Sequence, residues 1–300
     1  AAFGELAPDA IVLLGDRYEL LAAATAAHFL AIPIVHLHGG EVTQGAFDDA
    51  IRHAMSQFAR VHAVAAPEYA ERLIRAGAQP DSVHVVGGLG VDSIHSADKL
   101  TKNELEAALG VVLEGPLLLV TYHPVTAAKH DTEAEIQSLV SALGAFPQAT
   151  VVFTLPNADP EHGVIAKALQ EVVKGKENWH LFSSLGATTY LSLLTQASAV
   201  VGNSSSGLME APNLRVPAVN IGPRQDGRLT ARSVISCSTS RADIEASLTK
   251  ALSTGFLESL TGMETRYGKA GAADRVLALL ESTAFDSLEQ KKYYDPPEKK

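Results

Sequence analysis

Short, continuous apolar runs rich in β-branched residues alternate with helix-patterned stretches along almost the whole chain. A run that is apolar at every position is buried on both faces, the mark of a parallel sheet covered by helices. AIVLLG (Ala10–Gly15) is the first such strand, with a helix over Arg17–Ala31 behind it. IPIVHLHGG (Ile32–Gly40), VHAVAA and VHVVGG (Val83–Gly88) follow, separated by helices at DDAIRHAMSQFA (Asp48–Ala59) and PEYAERLIRAG. The second helix has Pro near its start and Gly after its end, the usual asymmetry of helix termini. A polar helix spans Leu100–Leu109. A second series begins near Gly115 with PLLLVTYHP (Pro116–Pro124), TEAEIQSLVSALGAF (Thr132–Phe146) and TVVFTLPN (Thr150–Asn157). It continues through HGVIAKALQEVVK, WHLFSS, TTYLSLLTQA, SAVVGN and SGLMEAPNL to VPAVNIG (Val216–Gly222), which reads as the last strand. RADIEASLTKAL and AADRVLALLES are helices, and YYDPPEKK is a charged, Pro-containing tail.

Strand–helix alternation through both halves predicts an α/β protein of two doubly wound, Rossmann-like domains. The boundary is placed at LGVVLEGP, near residues 110–116. That gives a first domain over 1–112, a second over 113–272, and a C-terminal helix and tail over 273–300. The first residues, AAFGEL, look like the end of a helix, so an upstream part is expected to precede Ala1.

Composition narrows the function. Of 300 residues, 46% are hydrophobic and 19% charged, which supports a buried core and argues against disorder. A net charge of −10 argues against a general nucleic-acid binder, which needs a basic face. The one cysteine, Cys237, builds neither a disulfide framework nor a cysteine metal cluster. No apolar run approaches the roughly 20 residues of a membrane span, and Ala1–Asp16 lacks the basic start of a secretory signal. A cytoplasmic setting is expected.

In doubly wound sheets ligands bind beyond the carboxyl ends of the strands. Titratable residues collect there: GDR (Gly15–Arg17), HLHGGEVTQGAFDD (His36–Asp49), TYHPVT (Thr121–Thr126), LPNADPEH (Leu155–His162), GNSSSGLME and IGPRQDGR (Ile221–Arg228). Such asymmetry predicts a cleft served by both domains. Ser204, Ser205 and Ser206 lie where a strand feeds a helix, so free N–H groups and the helix dipole would attract an anion. Glu210 could accept from a ribose diol, and Arg224 and Arg228 could neutralise phosphate. The same pattern also fits plain N-capping by serine with a solvent-facing Glu. No GxxxxGK[ST] marks a P-loop and no GxGxxG opens a helix.

In the first half, Asp16, Glu41, Asp48 and Asp49 are acid–base candidates, because neighbouring carboxylates in a closed site split their pKa values. Asp48 and Asp49 could equally serve a helix N-terminus, and Asp16 could simply pair with Arg17. His36 and His38, two apart on a strand, point to one side, and with Glu41 they raise a metal reading. No third and fourth ligands accompany them, so none is assigned. His123, before Pro124, ends a strand and is either a site group or a hydrogen-bonded core histidine.

VLLGDRYELL, HLHGGEVTQGAFDDAIRHAMS, VVGGLGVDSI, TYHPVT, GNSSSGLMEAP and VPAVNIGPRQDGR, in that order, resemble the hydrolysing UDP-N-acetylglucosamine 2-epimerases of bacterial sialic acid synthesis. The resemblance runs from about Pro8 to Tyr294. It implies a GT-B type fold, two Rossmann-like domains facing a cleft, with the C-terminal helix crossing back to the first. It implies conversion of UDP-N-acetylglucosamine and water to N-acetylmannosamine and UDP, by elimination of UDP to a 2-acetamidoglucal and then hydration. No cofactor is implied; the partners are the UDP-sugar and UDP, and the assembly a homo-oligomer. Asp16 and Asp48 match acid–base or sugar-positioning residues, and His123 the histidine near the diphosphate and sugar. Ser204 and Ser205 match the diphosphate-binding serines, Glu210 the ribose-binding glutamate, and Arg224 the arginine of the last strand-end loop. Arg17, Glu41, Asp49, His53 and Asn157 also match.

Two departures stand out. Animal relatives carry an acidic residue where this chain has His38, leaving Glu41 the nearest carboxylate, and one extra residue lies between the glycines and Asp48. Family members also begin with a strand and a nucleotide-reaching arginine turn, about 80 residues that would precede Ala1, roughly half a Rossmann domain. The 300-residue chain alone is therefore expected to be inactive or weakly active. Rival readings are a sister epimerase acting on UDP-2,4-diacetamido-trideoxyhexose, a GT-B glycosyltransferase, and a non-catalytic sugar-nucleotide binder.

Overall fold

Every strand pairing in the computed structural model, which describes residues 2–125, 130–156, 161–288, 291–295 and 297, is parallel. In chain order the first elements are α1 (Ala2–Leu6), β1 (Ile11–Leu14), α2 (Tyr18–Phe29), β2 (Ile34–Leu37), α3 (Asp48–Phe58), β3 (Val61–Val64), α4 (Pro67–Arg75), β4 (Val83–Val85), α5 (Leu89–Ser96) and α6 (Lys102–Leu109). Then come β5 (Leu117–Thr121), α7 (Thr132–Leu143), β6 (Thr150–Thr154), α8 (His162–Val172), β7 (Trp179–Phe182), α9 (Gly186–Gln196), β8 (Ala199–Gly202) and α10 (Ser206–Met209). The last are β9 (Ala218–Ile221), β10 (Val234–Cys237), α11 (Arg241–Ala251), α12 (Thr254–Ser259) and α13 (Ala272–Ser282). No helix among the described residues is long and apolar enough to cross a membrane.

Contacts divide the chain into two compact units: Ala1–Thr43, Phe47–Asp92 and Tyr267–Lys300 form the first, Gln44–Ala46 and Ser93–Arg266 the second. The division after Asp92 comes earlier than the boundary read at 110–116. Ile94 of α5 and Leu105 of α6 are the reason: both are buried in one cluster with Leu117, Leu119, Leu191 and Leu193 of the second unit.

The first unit holds a four-stranded sheet in sequential order β1-β2-β3-β4. Alternate residues of a strand face opposite sides, and each side has its own cover. Leu13 and Ile34 pack with Ala24, Ala27 and Met55 of α2 and α3. Val35, Leu37, Val61 and Ala63 pack with Val276 and, less deeply, Leu279 and Leu280 of α13. Tyr69 and Tyr267, both buried, join hydroxyls at 3.0 Å. Asp92 accepts from the N–H groups of Gly271 (2.7 Å), Ala272 (3.0 Å) and Ala273 (2.6 Å), so it caps the start of α13 from a distant part of the chain. AIVLLG departs from the expected fully buried strand. β1 lies at the sheet edge, and Val12 (46%) and Leu14 (52%) are exposed on the side that α13 covers only over the other strands.

The second unit holds a six-stranded sheet in the order β10-β9-β8-β5-β6-β7. The chain enters at central β5, winds outward to β7, returns to β8 and winds the other way. This is the doubly wound order, with its switch point between β5 and β8. One face packs on α7, α8 and α11 through residues such as Ile136, Ile165 and Ile244. The other packs on α6 and α9. VPAVNIG is not the last strand here: β10 pairs with β9 at the edge, and its partial exposure left no continuous apolar run to read.

Candidate functional site

In the first unit a single buried arginine organises the carboxyl ends of the strands. Arg52, on α3, is 2% exposed. Its guanidinium donates to Asp16 Oδ2 at the end of β1. It also donates to Asp49 Oδ1, Thr43 Oγ1 and the Glu41 carbonyl, each at 3.2 Å. Asp49 Oδ1 accepts in addition from Thr43 N at 2.6 Å. One fork thus ties a strand end, the 41–43 loop and the first turn of α3, which suits a planar, multiply donating guanidinium. Asp16 pairs with Arg52, so the alternative pairing with Arg17 does not form; Arg17, more than half exposed, bonds Glu19 at 3.3 Å.

His38 lies just beyond β2 with φ of +62°, the left-handed region that a non-glycine residue seldom occupies. Its ring explains the strain: Nδ1 meets Glu41 Oε1 at 2.7 Å and Nε2 accepts from Leu89 N at 3.3 Å. Those partners place the proton on Nδ1, donated to a glutamate that is only 2% exposed. His36 stays on the strand, with Nε2 on the Gly15 carbonyl (2.8 Å) and Nδ1 on Ser56 Oγ (3.0 Å). Burial pushes its imidazole down to about 4, against the pull of that carbonyl. The backbone turn at His38 therefore removes the shared side expected of the two histidines, and both His36 nitrogens are already engaged. Asp48 opens α3 partly exposed, with no side-chain cap on the helix. His53 Nε2 stands 3.5 Å from Asp49 Oδ2.

In the second unit the switch point is built from amides. Asn203, fully buried, follows β8, and His123 follows β5. Asn203 Oδ1 accepts from His123 N (2.7 Å) and Asn203 Nδ2 donates to the His123 carbonyl (2.8 Å). The Asn203 carbonyl in turn accepts from Arg224 Nη1 (3.2 Å) and Gln225 Nε2 (2.8 Å). Burial, then the nearby Arg224 charge, drives the His123 imidazole down to about 3, so it is neutral at physiological pH. Gly202 makes the strand end possible: at φ +126°, an added Cβ would sit 1.9 Å from the Thr121 carbonyl oxygen. Gly45 is confined in the same way, since a Cβ would lie 2.3 Å from Arg224 Cα. The adjoining Gln44 N donates to the Asp226 carbonyl at 3.0 Å.

The serines behave differently from ordinary caps. Ser205 is at the N-cap position of α10 yet makes no side-chain cap bond. Ser204 Oγ accepts from Ser206 N at 3.3 Å, and Ser206 Oγ accepts from the partly buried Tyr190 hydroxyl at 2.7 Å. α10 has only four residues before a short 3-10 turn, so the expected full helix dipole is not available. Local N–H and hydroxyl donors remain. Glu210 sits at the end of α10 near Tyr190, where its charge adds to the burial that holds the phenol up to about 12. Arg228 Nη1 contacts Met209 Sδ at 3.4 Å. Asn157 lies outside the described residues.

Sequence reasoning singled out most of these side chains but missed their organisers, Arg52, Asn203 and Gln225. Each was in a quoted motif; what was lacking was the knowledge that a long polar side chain there points inward.

The sequence profile of the family described as UDP-N-acetylglucosamine 2-epimerase matches residues 1–281. The chain is 42% identical over 235 residues to the GDP/UDP-N,N'-diacetylbacillosamine 2-epimerase (hydrolyzing) of Campylobacter jejuni, covering 78% of this chain and 61% of that one. It is 32% identical to the polysialic acid biosynthesis protein P7 of Escherichia coli, covering 97% of this chain and 74% of that one. The UDP-GlcNAc 2-epimerase of Neisseria meningitidis, solved bound to UDP-GlcNAc, superposes with a TM-score of 0.80 at 19% identity, over 94% of this chain and 78% of that one. The fold is accordingly of the GT-B type. With two parallel α/β units, the motifs at their strand ends and a profile match over nearly its whole length, the chain belongs to the UDP-N-acetylglucosamine 2-epimerase family.

Proposed function

We propose that the protein is a hydrolysing 2-epimerase of a UDP-linked 2-acetamido sugar. UDP-N-acetylglucosamine is the substrate that the motifs favour, and N-acetylmannosamine, for sialic acid synthesis, the product. The observation that carries this reading is the Arg52-centred carboxylate cluster at the strand ends of the first unit. A glycosyltransferase moves a sugar to an acceptor and has no need of proton transfer at C2; an epimerase does.

In the elimination step a base takes the C2 proton, the electron pair forms the C1–C2 double bond, and the C1–O bond breaks with its electrons leaving on UDP. In the second step water supplies hydroxyl to C1, and a proton returns to C2 on the opposite face. Inversion therefore calls for proton-handling groups on two faces. Asp16, aimed by Arg52 and with 23% of its side chain exposed, is assigned to one. Asp48, at the open start of α3, is assigned to the other. Glu41 works through His38, which it orients. Asp49 already serves Thr43 N and Arg52, so its role is positioning. In the second unit Ser204, Ser205 and Arg224 receive the diphosphate, Glu210 the ribose, and His123, neutral and locked by Asn203, donates one hydrogen bond to the leaving phosphate. The reading carries with it a cytoplasmic setting and homo-oligomeric assembly.

A second reading, with UDP-N,N'-diacetylbacillosamine as substrate, is favoured by the 42% identity to the Campylobacter relative that is named for it. NMR in deuterated water decides. Each sugar nucleotide is incubated with the protein. Release of UDP with a 2-epimerised sugar deuterated at C2 supports the proposal, and the faster substrate names the specificity. UDP binding without product from either sugar would sink it in favour of a non-catalytic binder.

A further inference from the structure

The turn that joins His38 to Glu41 is gripped by two helices of the first unit, α3 and α4. Its start is still tied to the sheet, since His38 N donates to the Ala63 carbonyl at 2.9 Å. The next two residues have no room for a side chain. A Cβ on Gly39 would lie 2.9 Å from Ser56 Oγ of α3 and 3.0 Å from His36 Nδ1. On Gly40, at φ +75°, it would lie 2.5 Å from the Tyr69 carbonyl oxygen and 3.1 Å from Leu73 Cγ of α4. Only glycine lets the backbone pass between these walls.

Two guanidiniums take two successive carbonyls of this turn. Arg52, from α3, donates to the Glu41 carbonyl at 3.2 Å. Arg72, from α4, donates to the Gly40 carbonyl. Tyr69, Arg72 and Leu73 stand at i, i+3 and i+4, so they share the helix face that backs the turn. The Arg72 guanidinium carbon lies 5.6 Å from the centre of the Tyr69 ring, within cation–π range, and that ring is fully buried. The guanidinium is therefore held in place by a fixed support. Each peptide unit is planar. The Gly40 carbonyl belongs to the plane before the Glu41 Cα, and the Glu41 carbonyl to the plane after it. Clamping both planes fixes φ and ψ of Glu41, and with them the direction of its side chain. That side chain must reach back three residues to meet His38 Nδ1 at 2.7 Å.

We propose that Arg72 is a further positioning residue: together with Arg52 it fixes both peptide planes of Glu41, and so aims the carboxylate that sets the tautomer of His38. Its meaning for turnover rests on the epimerase reading; its effect on the imidazole does not. Histidine-ring 15N NMR of the full 300-residue chain at mildly alkaline pH tests it, with His38→Asn identifying the His38 signals. The parent protein is expected to show His38 with its proton on Nδ1, because Nε2 accepts from Leu89 N. In Arg72→Met that signature is expected to give way to a mixture of tautomers, while His36, held by Gly15 and Ser56, keeps its shifts. Arg72→Lys, which restores a cationic donor, and Tyr69→Phe, which keeps the supporting ring, are expected to retain the Nδ1–H form. With the epimerase substrate, kcat of Arg72→Met should fall about ten- to a hundredfold, the cost of a small misplacement, and UDP affinity should be unchanged. Unchanged His38 signals in a folded Arg72→Met overturn the proposal, whatever the turnover. Altered His38 signals with undiminished turnover uphold the positioning and count against the role given to Glu41 and His38 in the epimerase reading. Circular dichroism checks folding. Should Arg72→Met unfold, Arg72→Gln, too short to reach the Gly40 carbonyl, gives the same two outcomes.

Discussion

The two units build their strand-end chemistry from different materials. In the first, charges hold charges: Arg52 clamps Asp16 and Asp49. In the second, a neutral amide holds backbone: Asn203 fastens both main-chain groups of His123, while burial keeps that imidazole uncharged. Proton transfer needs groups that change charge. Receiving a diphosphate needs donors that stay put. The difference teaches that the first unit's geometry is hostage to its ionisation, whereas the second unit's is not.

The sharpest way to break that contrast is to remove the arginine. Arg52→Met leaves Asp16 and Asp49 without their buried partner, and a cost of about 3–5 kcal/mol is expected in urea unfolding, with turnover lost. A variant that unfolds normally and keeps its activity would show that the clamp is decorative. Acid comes next. His36 and His62 in the first unit, and His123 in the second, have folded pKa values depressed to about 4, 3 and 3. In the unfolded chain each takes a proton near 6.5, so their stability contribution is full above that value and is lost as pH falls below it. Between pH 6.5 and 5 the loss is about 1.5 kcal/mol per histidine, about 3 for the pair in the first unit. The half-buried His180 adds to the second unit's loss in the same direction. Trp179, the one tryptophan, reports on the second unit. Urea midpoints at pH 5 should therefore fall further by circular dichroism, which sees both units, than by fluorescence. Equal falls would erase the distinction.

Asn203→Ala tests the neutral side. It strands two buried backbone groups of His123, at about 1–3 kcal/mol, and UDP affinity should drop by an order of magnitude or more in calorimetry. Unchanged affinity would detach His123 from nucleotide binding. The smallest effect is Tyr69→Phe, which removes one buried hydroxyl pair in the first unit, about 1 kcal/mol. Activity should survive it, and a loss of turnover would show that the C-terminal segment reaches the chemistry.

Much of the fold was legible because parallel strands announce themselves locally. PLLLVTYHP, TVVFTLPN and SAVVGN became β5, β6 and β8, each starting within one residue of the run and ending within three. What escaped was exposed or irregular. β10 is a half-exposed edge, α5 is built from the Gly- and β-branched LGVDSIHS, and α10 stops after four residues. Site residues were legible as types at strand ends. Their partners were not, because Arg52 and Asp16 are 36 positions apart and Asn203 and His123 are 80 apart.

The sequence by itself determined that this chain makes parallel sheets flanked by helices, and which polar residues stand at the strand ends. Both follow from periodicity and from the short reach of local backbone preference. Only the tertiary structure decided that Asp16 answers Arg52 and not its neighbour Arg17, and that His38 leaves the strand to meet Glu41. Pairing and burial depend on which surfaces pack together, and packing is a property of elements far apart in the chain.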